Sequence, residues 1–221
     1  LPVCTNPKKA ESLNSFAEKI AHQAHHASFG SLHPADPNWR EELRRFRKRG
    51  LIGLKLHNDY QDFFFDSPEC IRMIEAAFEE NLMVLVHAGA DPVSTDMHRC
   101  TPAMIAKHLP LLRQGVFIAA HMGGHLMLDD AMQYVIGQDI YIDTSMAPIY
   151  YPDEKCRQAI LAHDPEKILF GSDSPWDDPA MAIRILRGME LGHELEEKIF
   201  YKNAERLLAA ANCTETLAVG A

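Results

Sequence analysis

The feature that most constrains this chain is an alternation of short apolar runs of strand length with longer stretches of helical spacing. The runs cover residues 28–32, 51–56, 82–86, 116–120, 140–142 and 168–170, and residues 1–4 read as the tail of a further strand. Between them lie helical stripes. Leu13, Phe16, Ile20 and Ala24 form one, and Ile71, Ile74 and Phe78 form another behind the start signal Ser67-Pro68-Glu69. Helices are also expected around Trp39, Leu43 and Phe46, over 102–112, 126–136 and 152–163, and from there to about residue 211. Apolar strands with a helix between each pair imply parallel pairing with both faces covered.

Two architectures fit that pattern: a doubly wound sheet and a (β/α)8 barrel. No G-x-G-x-x-G follows the first strand, as a doubly wound dinucleotide binder would require. Instead, strand after strand ends in a polar residue: His33, Lys55 with His57, His87, His121, Asp143 and Asp173. A barrel gathers its site from the carboxyl ends of many strands, whereas a doubly wound sheet gathers it at one switch point. The expected fold is α/β, a TIM-type (β/α)8 barrel. At about 31 residues per unit, the 221 residues hold about seven units, so the chain is expected to lack the first strand. The unpaired edge this leaves would invite association, and a homo-oligomer is one form it could take. No linker or compositional shift divides residues 1–221, which read as a single domain.

Composition narrows the function classes. Hydrophobic residues at 47 % and charged residues at 24 % exclude a disordered or collagen-like chain. A formal charge of −9 argues against nucleic acid as a partner. The basic run at residues 44–49 faces Glu41 and Glu42 and reads as a solvated helix face. No apolar stretch reaches the roughly 18 residues of a membrane span, and no signal peptide opens the chain. Five scattered cysteines without a C-x-x-C pair read as reduced thiols. The expectation is a cytoplasmic protein acting on a small-molecule substrate, with no membrane or nucleic-acid partner.

Three motifs carry the chemistry: Val84-Leu85-Val86-His87-Ala88-Gly89, Ile118-Ala119-Ala120-His121-Met122-Gly123-Gly124 and Leu169-Phe170-Gly171-Ser172-Asp173-Ser174-Pro175-Trp176. Each puts an imidazole or carboxylate where an apolar strand gives way to a loop of small residues. Such groups are the usual ligands of a catalytic divalent metal with one position open to water.

Together with Lys55-Leu56-His57 and the ending Asn203-Ala204-Glu205-Arg206-Leu207, these motifs resemble the amidohydrolase superfamily. The narrower likeness is to its amidohydrolase-related group of metal-dependent hydrolases and non-oxidative decarboxylases. The resemblance implies a metal set of His87, His121 and Asp173, with Asp173 also carrying the proton and His121 acting on the substrate. The implied cofactor is a divalent metal. Zn2+ comes first because two imidazoles and a carboxylate suit it, and Mn2+ or Fe2+ also fits. The superfamily's His-x-His on the first strand is absent, since His25-His26 are adjacent and follow a helix.

Other residues admit two readings. Lys55 and His57 either bind a substrate carboxylate or pair with an acid inside the rim. Arg99, on the long loop 91–101 with Asp91, Asp96 and His98, either clamps a carboxylate or is solvated. Trp176, Tyr150 and Tyr151 either wall a planar substrate or pack between loops. Asp143 reads as a structural acceptor fixing an imidazole tautomer. The leading function is a metal-dependent hydrolase of an amide, ester or lactone, with Asp173 taking the proton of a metal-activated water and returning it to the leaving group. The alternatives are a decarboxylase of an aromatic or unsaturated acid and a catalytically inactive barrel.

Overall fold

The computed structural model describes residues 1–94 and 97–211; Asp96 and Cys213 therefore lie outside the described residues. Six strands form one sheet: β1 (Ser28–Gly30), β2 (Leu51–Leu56), β3 (Met83–Val86), β4 (Phe117–Ala119), β5 (Tyr141–Asp143) and β6 (Ile168–Leu169). They are hydrogen-bonded in chain order, and every pair is parallel. Right-handed crossovers between strands that advance in one direction place all the helices on one side. The other side must bury itself by curving inward, which is a barrel wall rather than a doubly wound sheet. β1 and β6 are the two edges and do not pair with each other, so the described sheet is an open, partial barrel.

The side chains show the same division. On β3, Val84 and Val86 join the large core against the helices, while Met83 and Leu85 join a second, inner cluster. On β4, Phe117 and Ala119 face the helices and Ile118 the inner cluster; on β5 and β6, Ile142 and Ile168 are outer and Tyr141 and Leu169 inner. Period-two alternation of apolar residues on both faces is what makes these strands read as continuous hydrophobic runs. Leu207 of the last helix and Ala211 just beyond it complete the inner cluster.

Three sequence expectations are corrected. Residues 1–4 form no strand: Cys4 N–H donates to Ser31 Oγ (2.9 Å) and Gln61 Nε2 donates to the Cys4 carbonyl (2.9 Å), so side chains hold the segment rather than a ladder. Pro2 has no N–H to give a ladder. The helix expected over 102–112 is two, Pro102–Lys107 and Leu109–Leu112, because Pro110 cannot donate to the turn before it. The long final helix is interrupted after Pro179–Gly188, with Gly192 at φ +88° before His193–Glu197. A π-helical turn at Lys198–Lys202 then leads into Asn203–Ala210. Among the described residues no helix is long and apolar enough to cross a membrane.

Candidate active site

Parallel strands in chain order bring all their carboxyl ends to one rim, and the polar residues of the motifs meet there. A cavity of about 700 Å³ opens at this end. Its floor is the inner cluster, with Leu85, Ile118, Ala120 and Leu169 exposed to it. Lys55, His57, His87, His121, Asp173 and Trp176 all line it. Trp176 stands at the mouth, 74 % exposed.

The histidines form a packed group. His57 directly follows β2 and caps the short helix Asn58–Gln61, its Nδ1 accepting the Tyr60 N–H at 3.4 Å. Its ring stacks on Tyr60 (3.7 Å between centroids) and on His87 (4.1 Å). His87 follows β3 and is anchored by its N–H to the Leu56 carbonyl, 3.0 Å. His121 sits beyond β4 at φ +60°, its backbone N–H donating to Asp143 Oδ1 at 2.9 Å.

Hydrogen-bond logic fixes the tautomers. The Ser145 hydroxyl donates to Asp143 Oδ1, so its oxygen accepts from His121 Nδ1–H at 2.8 Å. His121 Nε2 is then bare and accepts from His87 Nδ1–H at 3.0 Å. That leaves His87 Nε2 unprotonated, 3.3 Å from the Ala90 carbonyl oxygen. Two lone pairs facing each other at that distance repel, and a cation would relieve the repulsion.

One ligand atom from each of His57, His87 and Asp91 lies within 4.8 Å of the others, and all three residues are buried. His57 Nε2 and Asp91 Oδ2 are 3.4 Å apart, the edge of a tetrahedron whose ligands lie about 2.1 Å from zinc; ligation through Nε2 would move the imidazole proton to Nδ1 and end its long contact with the Tyr60 N–H. Burial pulls the imidazoles toward their neutral, ligating form. His57 is brought down to about 3, with the charge of Lys55 adding to desolvation. His87 and His121 are held well below the ordinary histidine range for the same main reason. The donor set therefore fits a divalent cation. His121 and Asp173 are not part of this triad among the described residues.

Lys55 is buried on the cavity wall. Desolvation lowers its pKa, and Asp143 and Asp173 raise it again through charge alone. Asp173, at φ +59°, has its carboxyl pKa raised by desolvation against the pull of Lys55. Arg99 lies outside the cavity lining. Its guanidinium pairs with Asp62 at 2.6 Å and Asp59 at 3.7 Å, and its N–H donates to Asp59 Oδ1 at 3.0 Å, tying its loop to the helix after β2. Sequence reasoning passed over Tyr60, Asp91 as a ligand, and His125. The available signal was weak: a second histidine four residues after His121, and an acid four residues after His87.

Fold and site together define a class. The amidohydrolase family profile matches residues 2–209, and the chain belongs to that family. No curated protein sequence matches it. Among solved structures it is similar to 5-carboxyvanillate decarboxylase from Sphingomonas paucimobilis, at 17 % identity and TM-score 0.71 over 92 % of this chain and 73 % of that one. It is also similar to a dihydroxybenzoic acid decarboxylase from Polaromonas with bound manganese and the inhibitor 2-nitroresorcinol (18 %, TM-score 0.69, 98 % and 80 %). A third is a probable 2-pyrone-4,6-dicarboxylic acid hydrolase from Acinetobacter baumannii (14 %, TM-score 0.64, 93 % and 79 %). At these identities the likeness is one of fold, the TIM barrel expected from the strand pattern.

Proposed function

We propose that the protein is a metal-dependent decarboxylase of a planar aromatic acid. The observation that carries this is Lys55, a buried amine whose charge Asp143 and Asp173 favour against desolvation, on the wall of a cavity with an apolar floor and a buried imidazole cluster. A substrate carboxylate is the partner such a cation fits, and the apolar floor with Tyr60, Tyr150 and Trp176 suits a flat ring. His57, His87 and Asp91 would hold the divalent ion; the set implied by the superfamily resemblance, His87, His121 and Asp173, shares His87 with it. When bound, the ion supplies positive charge to anchor substrate oxygens and to stabilise the charge that develops on the ring.

The residues divide the remaining work. Lys55 holds the carboxylate, and Asp173, whose carboxyl burial shifts upward, is the acid placed at the cavity wall to deliver a proton. As the bond from ring carbon to carboxylate breaks, CO2 leaves and the electron pair stays on the carbon. That carbon takes the Asp173 proton, and solvent reprotonates the carboxylate. His121, fixed through Ser145 and Asp143, lines the same space and holds His87 in place by accepting its Nδ1–H. The leading sequence-based reading, hydrolysis, uses the same wall with Asp173 as base; the apolar floor and the aromatic wall favour a ring acid over an amide, ester or lactone.

The test is CO2 release from 5-carboxyvanillate and 2,6-dihydroxybenzoate, run beside ring opening of 2-pyrone-4,6-dicarboxylate, with manganese or zinc supplied. The expected result is CO2 from an aromatic acid, abolished by chelation and reduced at least about 100-fold in Lys55→Met and in Asp173→Asn. Ring opening without CO2, or full activity in Lys55→Met, would overturn the reading. Metal analysis after dialysis separates the ligand sets: Asp91→Asn should lose the ion while Asp173→Asn keeps it, and the reverse would favour the superfamily set.

A further inference from the structure

We propose that His125 is a substrate-orienting residue, donating its Nε2–H to an oxygen substituent that the ring substrate carries beside its carboxylate. The inference rests on the proposed function and extends it, because it states what else the substrate must carry. His125 lines the cavity and is 4 % exposed, yet its Nδ1 is buried without a hydrogen-bond partner among the described residues. An unpaired buried N–H is harder to tolerate than an unpaired lone pair, so the proton belongs on Nε2.

Its place in the cavity suits the task. The ring lies 5.2 Å from His121 and 5.8 Å from His87, centroid to centroid, and meets Tyr150 edge-on at 5.1 Å. It thus bridges the imidazole cluster and the aromatic wall without belonging to the candidate metal triad. The backbone beneath it is clamped. His125 N–H donates to the Ala88 carbonyl at 2.7 Å, and Ala90 N–H donates to the His125 carbonyl at 2.8 Å. A donor held this firmly is preorganised for a ligand oxygen. Packing alone would be served by an apolar ring, which would leave no nitrogen unpaired. A phenolic oxygen or a second carboxylate on the substrate takes the Nε2–H, and Nδ1 stays a bare lone pair.

The experiment is calorimetric titration of manganese-loaded protein with 2,6-dihydroxybenzoate and 2-nitroresorcinol, for wild type and for His125→Phe, His125→Gln and His125→Asn. Glutamine carries an amide N–H to the region of Nε2, whereas asparagine reaches only the region of Nδ1. We expect His125→Phe and His125→Asn to bind both probes about tenfold more weakly or worse. His125→Gln should stay within about threefold of wild type, and manganese content should be unchanged throughout. If His125→Phe fails to fold, as judged by circular dichroism, the contrast between glutamine and asparagine decides. Equal binding by wild type and His125→Phe, or by His125→Gln and His125→Asn, overturns this inference alone. So does loss of manganese on substitution, which would make His125 a ligand. A wild type that binds neither probe overturns the proposed function, and this inference with it.

Discussion

At the scale of single residues, the site depends on close approach of backbone to backbone. Gly89 sits at φ +99°, and a Cβ built there would lie 2.2 Å from the His125 nitrogen and 2.3 Å from its carbonyl oxygen. Its N–H donates to the Cys100 carbonyl at 2.7 Å, so it ties the loop after β3 to two other segments at once. Gly89→Ala should therefore cost more than about 2 kcal/mol, combining a left-handed backbone with a backbone clash. Urea unfolding measures this; a loss under about 0.5 kcal/mol would show that the loop can shift freely. The His87-Ala88-Gly89 motif announces small residues in the sequence. The partner that requires the glycine lies 36 residues on and leaves no local trace.

At the scale of elements, the last helix is fastened by one amide. Asn203 is fully buried, and its Nδ2 donates to the carbonyls of Pro165 (2.9 Å) and Ile168 (2.8 Å), joining the helix Asn203–Ala210 to the start of β6. Arg206 pairs with Glu166 at 2.7 Å from the same helix, but on the exposed surface, where such a pair contributes little. Asn203→Ala should destabilise by about 2 kcal/mol, since two buried carbonyls lose their donor. Arg206→Ala should change stability by less than about 1 kcal/mol. Urea midpoints of the two variants check both, and similar losses would refute the assignment. The sequence showed that a helix ends the chain. The π-helical turn coincides with docking, since its Ile199 carbonyl accepts the Phe170 N–H at 2.9 Å.

At the scale of the whole molecule, neutral buried histidines set a pH limit. His163 accepts the Gly137 N–H on Nδ1 (3.0 Å) and donates from Nε2 to the Ile140 carbonyl (3.0 Å), and burial lowers its pKa. The unfolded chain takes up a proton below about pH 6.5, while the folded one resists it. Stability is thus complete above that pH and falls as the pH drops toward the folded pKa, by at most about 1.4 kcal/mol per pH unit for each such group. His125 is shifted in the same direction. The urea midpoint should fall between pH 7.5 and 5.5, and fall less in His163→Gln; an identical fall in the two proteins would exclude His163 as a contributor.

The sequence alone determined the fold class and the end of the sheet where the site lies. Continuous apolar runs separated by helices imply parallel strands, and parallel strands in chain order carry Lys55, His57, His87, His121 and Asp173 to one rim whatever the details of packing. Tertiary structure decided which of them meet. It set His57 and Asp91 3.4 Å apart, joined His121 to His87, turned His125 to the cavity, and committed Arg99 to Asp62 and Asp59. It also held residues 1–4 by side chains instead of a ladder. Periodicity records which face a residue takes. Coordination and hydrogen bonding turn on separations of an ångström between residues far apart in the chain, and those are set only when the strands, helices and loops pack together.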